Sequence, residues 1–192
     1  MEEFLQPEVN LAILNRPPPS CADALKELLG ASHPCFDISV AGAEDLQDLP
    51  SRMRSALGLR AADGEVLYAD VASLAGHFAH LTRAARVQIH LHKVLSDNCQ
   101  FFHVDKVEAR LLTTYAGLGT QWLRNQDVNR RALGRGKNSR IMLDGSEIQS
   151  VPTGAVAIMK GERWNSDGLV HRSPPMSRDS SARILLRIDL KR

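Results

Sequence analysis

The stretch VQIHLHKV, residues 87–94, alternates apolar and polar side chains, with apolar residues at 87, 89 and 91. Alternation with a period of two is typical of a β-strand with one buried face. Further strand candidates follow along the chain, at residues 101–104, 109–115, 141–143, 155–160 and 182–190. Several short strands separated by turn-rich segments favour an antiparallel sandwich or barrel.

The residues before this strand have a helical pattern instead. We predict helices over residues 22–29, 43–57 and 66–85, with Pro50 limiting how far the second can run. In the third helix, apolar residues recur three and four positions apart, so one side of it should pack against the sheet. These helices are expected to be a cap and not the centre of the chemistry.

The first 20 residues are expected to be an irregular arm, because Pro7 and Pro17 to Pro19 remove backbone donors. Ser20 is the predicted N-cap of the first helix. The sequence therefore predicts an α+β protein that is one globular unit. Residues 1–85 would form the arm and helical cap, and residues 86–192 the strand-rich domain.

Composition limits the classes of partner. A 192-residue chain with 43% hydrophobic residues can bury the core of a single domain, and its formal charge of +2 gives no general attraction to nucleic acid or anionic lipid. We find neither a signal peptide pattern nor an apolar run long enough to span a membrane, so we expect a soluble, cytoplasmic protein. The cysteines Cys21, Cys35 and Cys99 are expected to be free thiols.

The chemistry is predicted to centre on His103 and Asp105, which lie two residues apart. On a strand, side chains at this spacing project from the same face, so an imidazole and a carboxylate can converge on one ion. His171 lies 66 residues after Asp105 and follows a predicted strand, which lets it return beside the first two. Two histidines and one carboxylate form the facial triad of non-haem iron sites, which leaves coordination positions open.

Arg183 lies twelve residues after His171, at the start of the last predicted strand. A guanidinium there can hold a carboxylate by two parallel hydrogen bonds, a geometry that an amine does not match. Arg110 is a second candidate for this role.

The order of these residues and two intervening segments resembles the double-stranded β-helix of iron(II)/2-oxoglutarate dioxygenases, and most of all the prolyl-hydroxylase-like branch. The pieces are His103-x-Asp105, LTTYAGLGT at 112–120, VPTGAV at 151–156, His171 and Arg183. This resemblance implies a jelly-roll barrel in which His103, Asp105 and His171 bind iron(II) and form the catalytic centre. Arg183 would pair with the distal carboxylate of 2-oxoglutarate, Tyr115 or Thr114 would hydrogen-bond it, and an unidentified small molecule or protein would be hydroxylated.

A closer resemblance is to a bacterial family of unknown function, numbered eighteen twenty-six, which tends to occur near zinc-homeostasis genes. It is carried by CQFFHVD at 99–105, RLLTTY at 110–115 and GTQW at 119–122. It keeps open an alternative, a zinc-binding metalloprotein without oxygenase activity. Cys99, four residues before His103, would favour this softer metal if its thiolate were a ligand.

Other patterns carry weaker hypotheses. The pair His90-x-His92 suits a cupin metal site, but the glutamate expected a few residues later is missing. The basic segment 124–140 is either a solvated loop or a lid facing the substrate. The fragment GRGKNS at 134–139 lacks the spacing of a phosphate-binding loop, so we do not expect nucleotide binding.

Overall fold

A computed structural model describes residues 2–32, 34–96, 99–164, 167–176 and 182–191 of the chain. The helices in these ranges are α1 (Ala22–Gly30), α2 (Gly42–Leu57), α3 (Gly64–Thr82) and the short α4 (Asn138–Ile141). The strands are β1 (Leu11–Leu14), β2 (Cys35–Ala41), β3 (Arg86–Val94), β4 (Ala109–Ala116), β5 (Gln121–Trp122), β6 (Gln149–Ser150), β7 (Val156–Lys160), β8 (His171–Arg172) and β9 (Arg183–Leu190).

Six strands form a large antiparallel sheet in the order β1-β7-β4-β9-β3-β2. Strands β4 and β9 lie at its centre, where Arg110 pairs in register with Asp189. A smaller antiparallel sheet has the order β6-β5-β8, and Trp122 pairs there with His171. The structure is therefore a mixed helix and sheet fold with antiparallel sheets.

One face of the large sheet is covered by the helices. Leu111, Ile158 and Ile188 point to this side and share one buried core with Val71 and Phe78 of α3. The apolar stripe predicted from the sequence is thus the side of α3 that packs on the sheet. Among the described residues, none of the helices combines the length and apolar character needed to cross a membrane.

The opposite face of the large sheet packs against the small sheet. Leu112 of β4 and Met159 of β7 form a cluster with Leu169, and Trp122 of β5 and Leu185 of β9 pack against it. Because strand side chains alternate between faces, Arg110 and Thr114 lie on the same side of β4 as Leu112. By the same rule, Arg183 and Asp189 lie on the same side of β9 as Leu185.

Four predicted strands and three predicted helices are present with small shifts at their ends, and α2 runs through Pro50 without a break. Two predicted strands are wrong. In segment 101–104 only His103 forms a β-bridge, and segment 141–143 contains the end of α4 and one bridge at Met142. Both segments have apolar runs because they pack in a small separate core, with Phe102 and Ile141 buried.

The N-terminal prediction also needs correction. The segment expected to be an irregular arm contains β1, which forms an edge of the large sheet by pairing with β7. Helix α1 is capped at Cys21 and not at Ser20, and no side chain of its own segment serves as the cap. Instead the carboxylate of Asp63 accepts hydrogen bonds from the backbone amides of Asp23 and Ala24, both at 2.9 Å.

Candidate metal centre

The candidate metal centre is built where two chain segments meet at the edge of the small sheet. The backbones of His103 and His171 form an antiparallel bridge, with both N–H···O hydrogen bonds at 3.0 Å. Asp105 follows two residues later, and its backbone carbonyl accepts a hydrogen bond from Glu162. The three side chains that the sequence placed together are therefore close in space because of one local bridge.

The three side chains present one ligand atom each, and these atoms all lie within 4.8 Å of one another. The Nε2 atom of His171 lies 3.2 Å from Oδ2 of Asp105, and Nε2 of His103 lies 3.6 Å from Oδ1 of the same carboxylate. The two imidazole rings have their centroids 4.7 Å apart. This arrangement can hold one cation between two nitrogens and one oxygen.

Both histidines are held in the orientation that a metal ligand needs. Nδ1 of His103 donates to the backbone carbonyl of Phe101 at 2.8 Å, and Nδ1 of His171 donates to that of Leu169 at 3.1 Å. A carbonyl oxygen only accepts, so the proton is on Nδ1 in each ring. In the neutral rings this leaves the lone pair of Nε2 directed at the centre.

The charges of the site favour an ionised carboxylate. Burial alone would raise the pKa of Asp105, but the hydrogen bonds with His103 and His171 and the charge of Arg110 outweigh it and hold this pKa well below its usual range. The hydrogen bond to Asp105 raises the pKa of His103. This raised pKa favours a proton on Nε2 of His103 facing the carboxylate, and a bound cation would take the place of that proton.

Arg110 braces the carboxylate from the large sheet. Its Nη1 donates to Oδ2 of Asp105, while Nε and Nη2 donate to the two oxygens of Asp189 at 2.5 and 3.0 Å. The side chains of all three residues are 14% exposed. The guanidinium is already shared between two carboxylates, so Arg110 acts as a positioning residue and is not available for a ligand carboxylate.

Arg183 differs from Arg110, because it pairs with no carboxylate among the described residues. It is 1% exposed, and its Nη2 donates to the hydroxyls of Thr114 and Thr120, both at 3.3 Å. Its Nε has no hydrogen-bond partner among the described residues, and no carboxylate there pairs with it. Burial lowers its pKa to about 10, so the guanidinium is still charged at neutral pH.

A second buried donor lies in the same region. Trp122 packs between the sheets, and its indole Nε1 is buried without a partner among the described residues. Thr120, which contacts Arg183, comes two residues before Trp122, and Trp122 pairs with His171. The structure thus brings Arg183 and Thr114 to the interior side of the large sheet on which Arg110 braces the triad.

Tyr115 is not part of this group. It lies on the helix-facing side of β4, and its buried hydroxyl donates to Asp70 of α3 at 2.6 Å. Alternation along β4 explains the difference, because adjacent residues point to opposite faces. Of the two hydrogen-bonding residues implied for a 2-oxo acid, the geometry leaves only Thr114.

Cys99 also lies apart from the triad. Its side chain is exposed, and its thiol is not among the clustered ligand atoms of the described residues. Its backbone carbonyl accepts a hydrogen bond from Ser173 at 3.0 Å, so the contact it makes here is structural. The geometry does not favour the zinc alternative in which Cys99 completes the site.

The basic segment 124–140 contacts the approach to His103. The side chain of Asn138 accepts from the amide of Phe102 at 2.8 Å and donates to the carbonyl of Gln100 at 2.9 Å. Arg130 pairs with Asp167, with Nε and Oδ1 3.5 Å apart. The segment therefore supports the strand-like stretch before the triad, and its role as a lid stays a prediction.

Sequence reasoning missed Asp189, Thr120 and Trp122. A signal for Asp189 was present, since residues 183, 185, 187 and 189 share one face of a strand and Arg183 was already assigned to that face. Thr120 and Trp122 gave no such signal, because β5 is only two residues long.

The comparison with protein families identifies the chain. The family described as "Protein of unknown function (DUF1826)" matches residues 1–189. The chain belongs to this family. No curated protein matches it.

Solved structures resemble this DUF1826 protein at low sequence identity. A Pseudomonas putida prolyl-4-hydroxylase is 12% identical over 91% of this chain and 100% of that chain, with a TM-score of 0.42. A full-length Neurospora crassa protein in complex with alpha-KG is 11% identical over 86% of this chain and 58% of that one, with a TM-score of 0.45. The Fe(II)/(alpha)ketoglutarate-dependent dioxygenase TqaL is 10% identical over 91% of this chain and 76% of that chain, with a TM-score of 0.49. With identities this low and TM-scores this modest, the likeness transfers no activity to this chain.

Proposed function

We propose that this DUF1826 protein is an iron(II)- and 2-oxoglutarate-dependent dioxygenase that hydroxylates an unidentified substrate. The observation that carries the proposal is the buried Arg183 guanidinium, which meets two threonine hydroxyls and no carboxylate among the described residues. A buried charge is costly unless it is paired, so a partner that arrives with the ligand explains its retention.

The donor set of the triad fits iron(II). His103 and His171 supply two imidazole nitrogens and Asp105 one carboxylate oxygen, and three protein ligands leave positions for a 2-oxo acid and oxygen. Iron(II) and 2-oxoglutarate, when bound, would activate oxygen. One oxygen atom would go to succinate as 2-oxoglutarate loses carbon dioxide, and the other would go to the hydroxylated substrate.

The protein's own residues would orient the cosubstrate. Arg183 would hold its distal carboxylate by two hydrogen bonds, and the hydroxyl of Thr114 would add a third. Trp122 and Leu112 would exclude water from the interior between the sheets, where hydrogen bonds to charged groups are stronger. Arg110 would keep Asp105 ionised and correctly turned.

In this proposal the two sheets are the two halves of a double-stranded β-helix, and the N-terminal helices are its cap. Residues 86–192 would supply every ligand of the metal and of 2-oxoglutarate. Residues 1–85 supply the three long helices and the two edge strands β1 and β2.

The test is formation of succinate from 2-oxoglutarate by the purified full-length protein with iron(II), ascorbate and air. We expect slow conversion of 2-oxoglutarate even without the substrate, with ascorbate supplying the two electrons that the substrate would give, so the substrate need not be known. We expect succinate from the wild-type protein and none from D105N, which has the same shape but lacks the ligand charge. Equal succinate from both proteins, or none from a wild-type protein shown to contain iron, contradicts the proposal.

A further inference from the structure

A second cluster of metal-ligating side chains lies at one edge of the large sheet, on strands β2 and β3. Asp37 of β2 pairs in register with His90 of β3, and His92 follows two residues later on the same face. Phe36 and Val40 point into the core on the other side, which confirms that Asp37 faces outward.

The cluster has the geometry of an ion site. Nδ1 of His90 and Nε2 of His92 both contact the same oxygen of Asp37, the second at 2.7 Å. The ring centroids are 5.7 Å apart and the rings are nearly perpendicular, at 89°. One nitrogen from each ring and one carboxylate oxygen lie within 4.8 Å of one another.

The cluster is open to solvent, and the charge of its positive neighbour, Arg187, is partly offset. The side chains of His92 and Asp37 are 39% and 45% exposed, so an ion can enter without opening the fold. Arg187 pairs in register with His90, and its charge opposes a cation there. Asp189, which also pairs with Arg110, offsets part of that charge, because its Oδ2 lies 3.3 Å from Nε of Arg187.

We propose that Asp37, His90 and His92 form a second metal site, for zinc, separate from the triad of His103, Asp105 and His171. Two imidazole nitrogens and one carboxylate oxygen are ligands that zinc accepts in a tetrahedral site with one position left over. Hydrogen bonding between the imidazoles and Asp37 keeps these groups together before the ion arrives, so little reorganisation is needed.

Cys35 is placed to supply the fourth ligand. It pairs in register with His92, its side chain is exposed, and it lies two residues before Asp37 on the same strand face. Side chains directly opposite on antiparallel strands have their Cβ atoms about 5 Å apart. The thiol lies outside the present cluster of three ligand atoms, so Cys35 would have to change its rotamer to bind the ion. Thiolate is a ligand that zinc prefers over water, which would favour that change.

The site shares no ligand with the triad, since Asp37, His90 and His92 lie on β2 and β3 of the large sheet and the triad lies at the edge of the small sheet. A zinc ion at Asp37 would therefore leave the triad free for iron(II). The proposal does not depend on oxygenase activity, and it holds or fails by zinc binding alone.

The test is the zinc content of the full-length protein after equilibration with excess zinc and removal of unbound metal. H92A is expected to hold one equivalent less than the wild type, whether or not the triad also takes up zinc. The control H80A removes another exposed histidine, on α3, and is expected to keep the wild-type content. A third protein, H103A/D105N, lacks the triad ligands and is expected to retain one equivalent.

Equal zinc in H92A and the wild type overturns the proposal, and so does loss of all zinc in H103A/D105N. If H92A does not fold, D37N provides the same comparison, because it keeps the side-chain shape and removes the ligand charge. Circular dichroism on each variant separates loss of zinc from loss of structure. Failure here would leave the iron proposal intact, since that is tested by succinate.

Discussion

Arg183 is the side chain that most strongly supports the binding of 2-oxoglutarate. A guanidinium at 1% exposure, bonded only to hydroxyls among the described residues, costs stability that a core of apolar residues would not lose. Its flat fork also matches a carboxylate in a way that lysine does not. Both features make sense if a ligand carboxylate completes the site.

The substitution R183K tests this role. Lysine keeps the charge but loses the paired hydrogen bonds, and a hydrogen bond to a charged group contributes about 1.5–3 kcal/mol, so 2-oxoglutarate should bind roughly tenfold to a hundredfold more weakly. The measurement is calorimetric titration of the iron-loaded or manganese-loaded protein under nitrogen. Metal content should be unchanged, and wild-type affinity for 2-oxoglutarate would refute the assignment.

For Tyr115 we predict no effect on 2-oxoglutarate binding, in contrast to Arg183, because its hydroxyl donates to Asp70 on the helix side of β4. Y115F should leave 2-oxoglutarate affinity unchanged and should lower the free energy of unfolding by about 1 kcal/mol, the usual net loss for one buried hydrogen bond. Asp70 keeps its pairing with Arg16, which limits the loss. Chemical denaturation and the same titration check both parts, and a large loss of affinity would restore Tyr115 to the site.

The turn after β4 shows how an element positions the site. Gly117 has a left-handed backbone, with φ of +86°, and a Cβ added there would lie 2.9 Å from Cγ of Arg183 and 3.0 Å from the carbonyl of Ala182. This glycine is therefore needed twice, for the turn and for the space that Arg183 occupies.

G117A should lower stability and also weaken 2-oxoglutarate binding, because the added methyl group displaces Arg183. The matched control is G134A, where φ is +76° but nothing lies within 4 Å of the added carbon. Both changes carry a left-handed backbone cost of about 1–2 kcal/mol, so the difference between them isolates the clash. Thermal unfolding and the titration measure it, and equal effects of G117A and G134A would contradict the account.

Elements with a clear repeating pattern could be predicted from the sequence, and others could not. Strand β3 alternates cleanly, and the heavily apolar β4, β7 and β9 come at the sheet centre, so their positions were predicted within a residue or two. Strand β2 was missed although Phe36, Ile38 and Val40 alternate with polar residues. Strand β1 has no such signal, because all four of its residues are apolar and its pairing with β7 is a long-range contact.

Only part of the candidate site could be predicted from the sequence. His103, Asp105 and His171 do lie close together, but a single bridge between His103 and His171 brings them there and not the strand that the sequence predicted. Their role as metal ligands stays a prediction. The partners of Arg110 and Tyr115 depend on which face each strand turns to the core. That choice follows from packing of the whole sheet and is not visible in a short motif.

At the scale of the whole molecule, the N-terminal segment is part of the fold. Phe4 is fully buried, with its ring 5.3 Å from that of Trp164, and β1 closes one edge of the large sheet. A loosely attached arm would bury neither.

F4A should therefore lower the free energy of unfolding by about 3–5 kcal/mol, the usual cost of removing a buried aromatic side chain. The neighbouring L5A is the control, because Leu5 is 48% exposed and should change stability little. Urea denaturation of both variants measures this difference in the free energy of unfolding. A near-zero effect of F4A would mean that the segment is an arm after all.

The central claim is that one centre binds iron(II) and 2-oxoglutarate together. The most direct measurement is the visible absorption spectrum of the full-length protein, titrated under nitrogen with iron(II) and then with 2-oxoglutarate. We predict a weak metal-to-ligand charge-transfer band that requires both additions and is absent in D105N. No band in a wild-type protein that has taken up iron, or an equal band in D105N, would contradict the account.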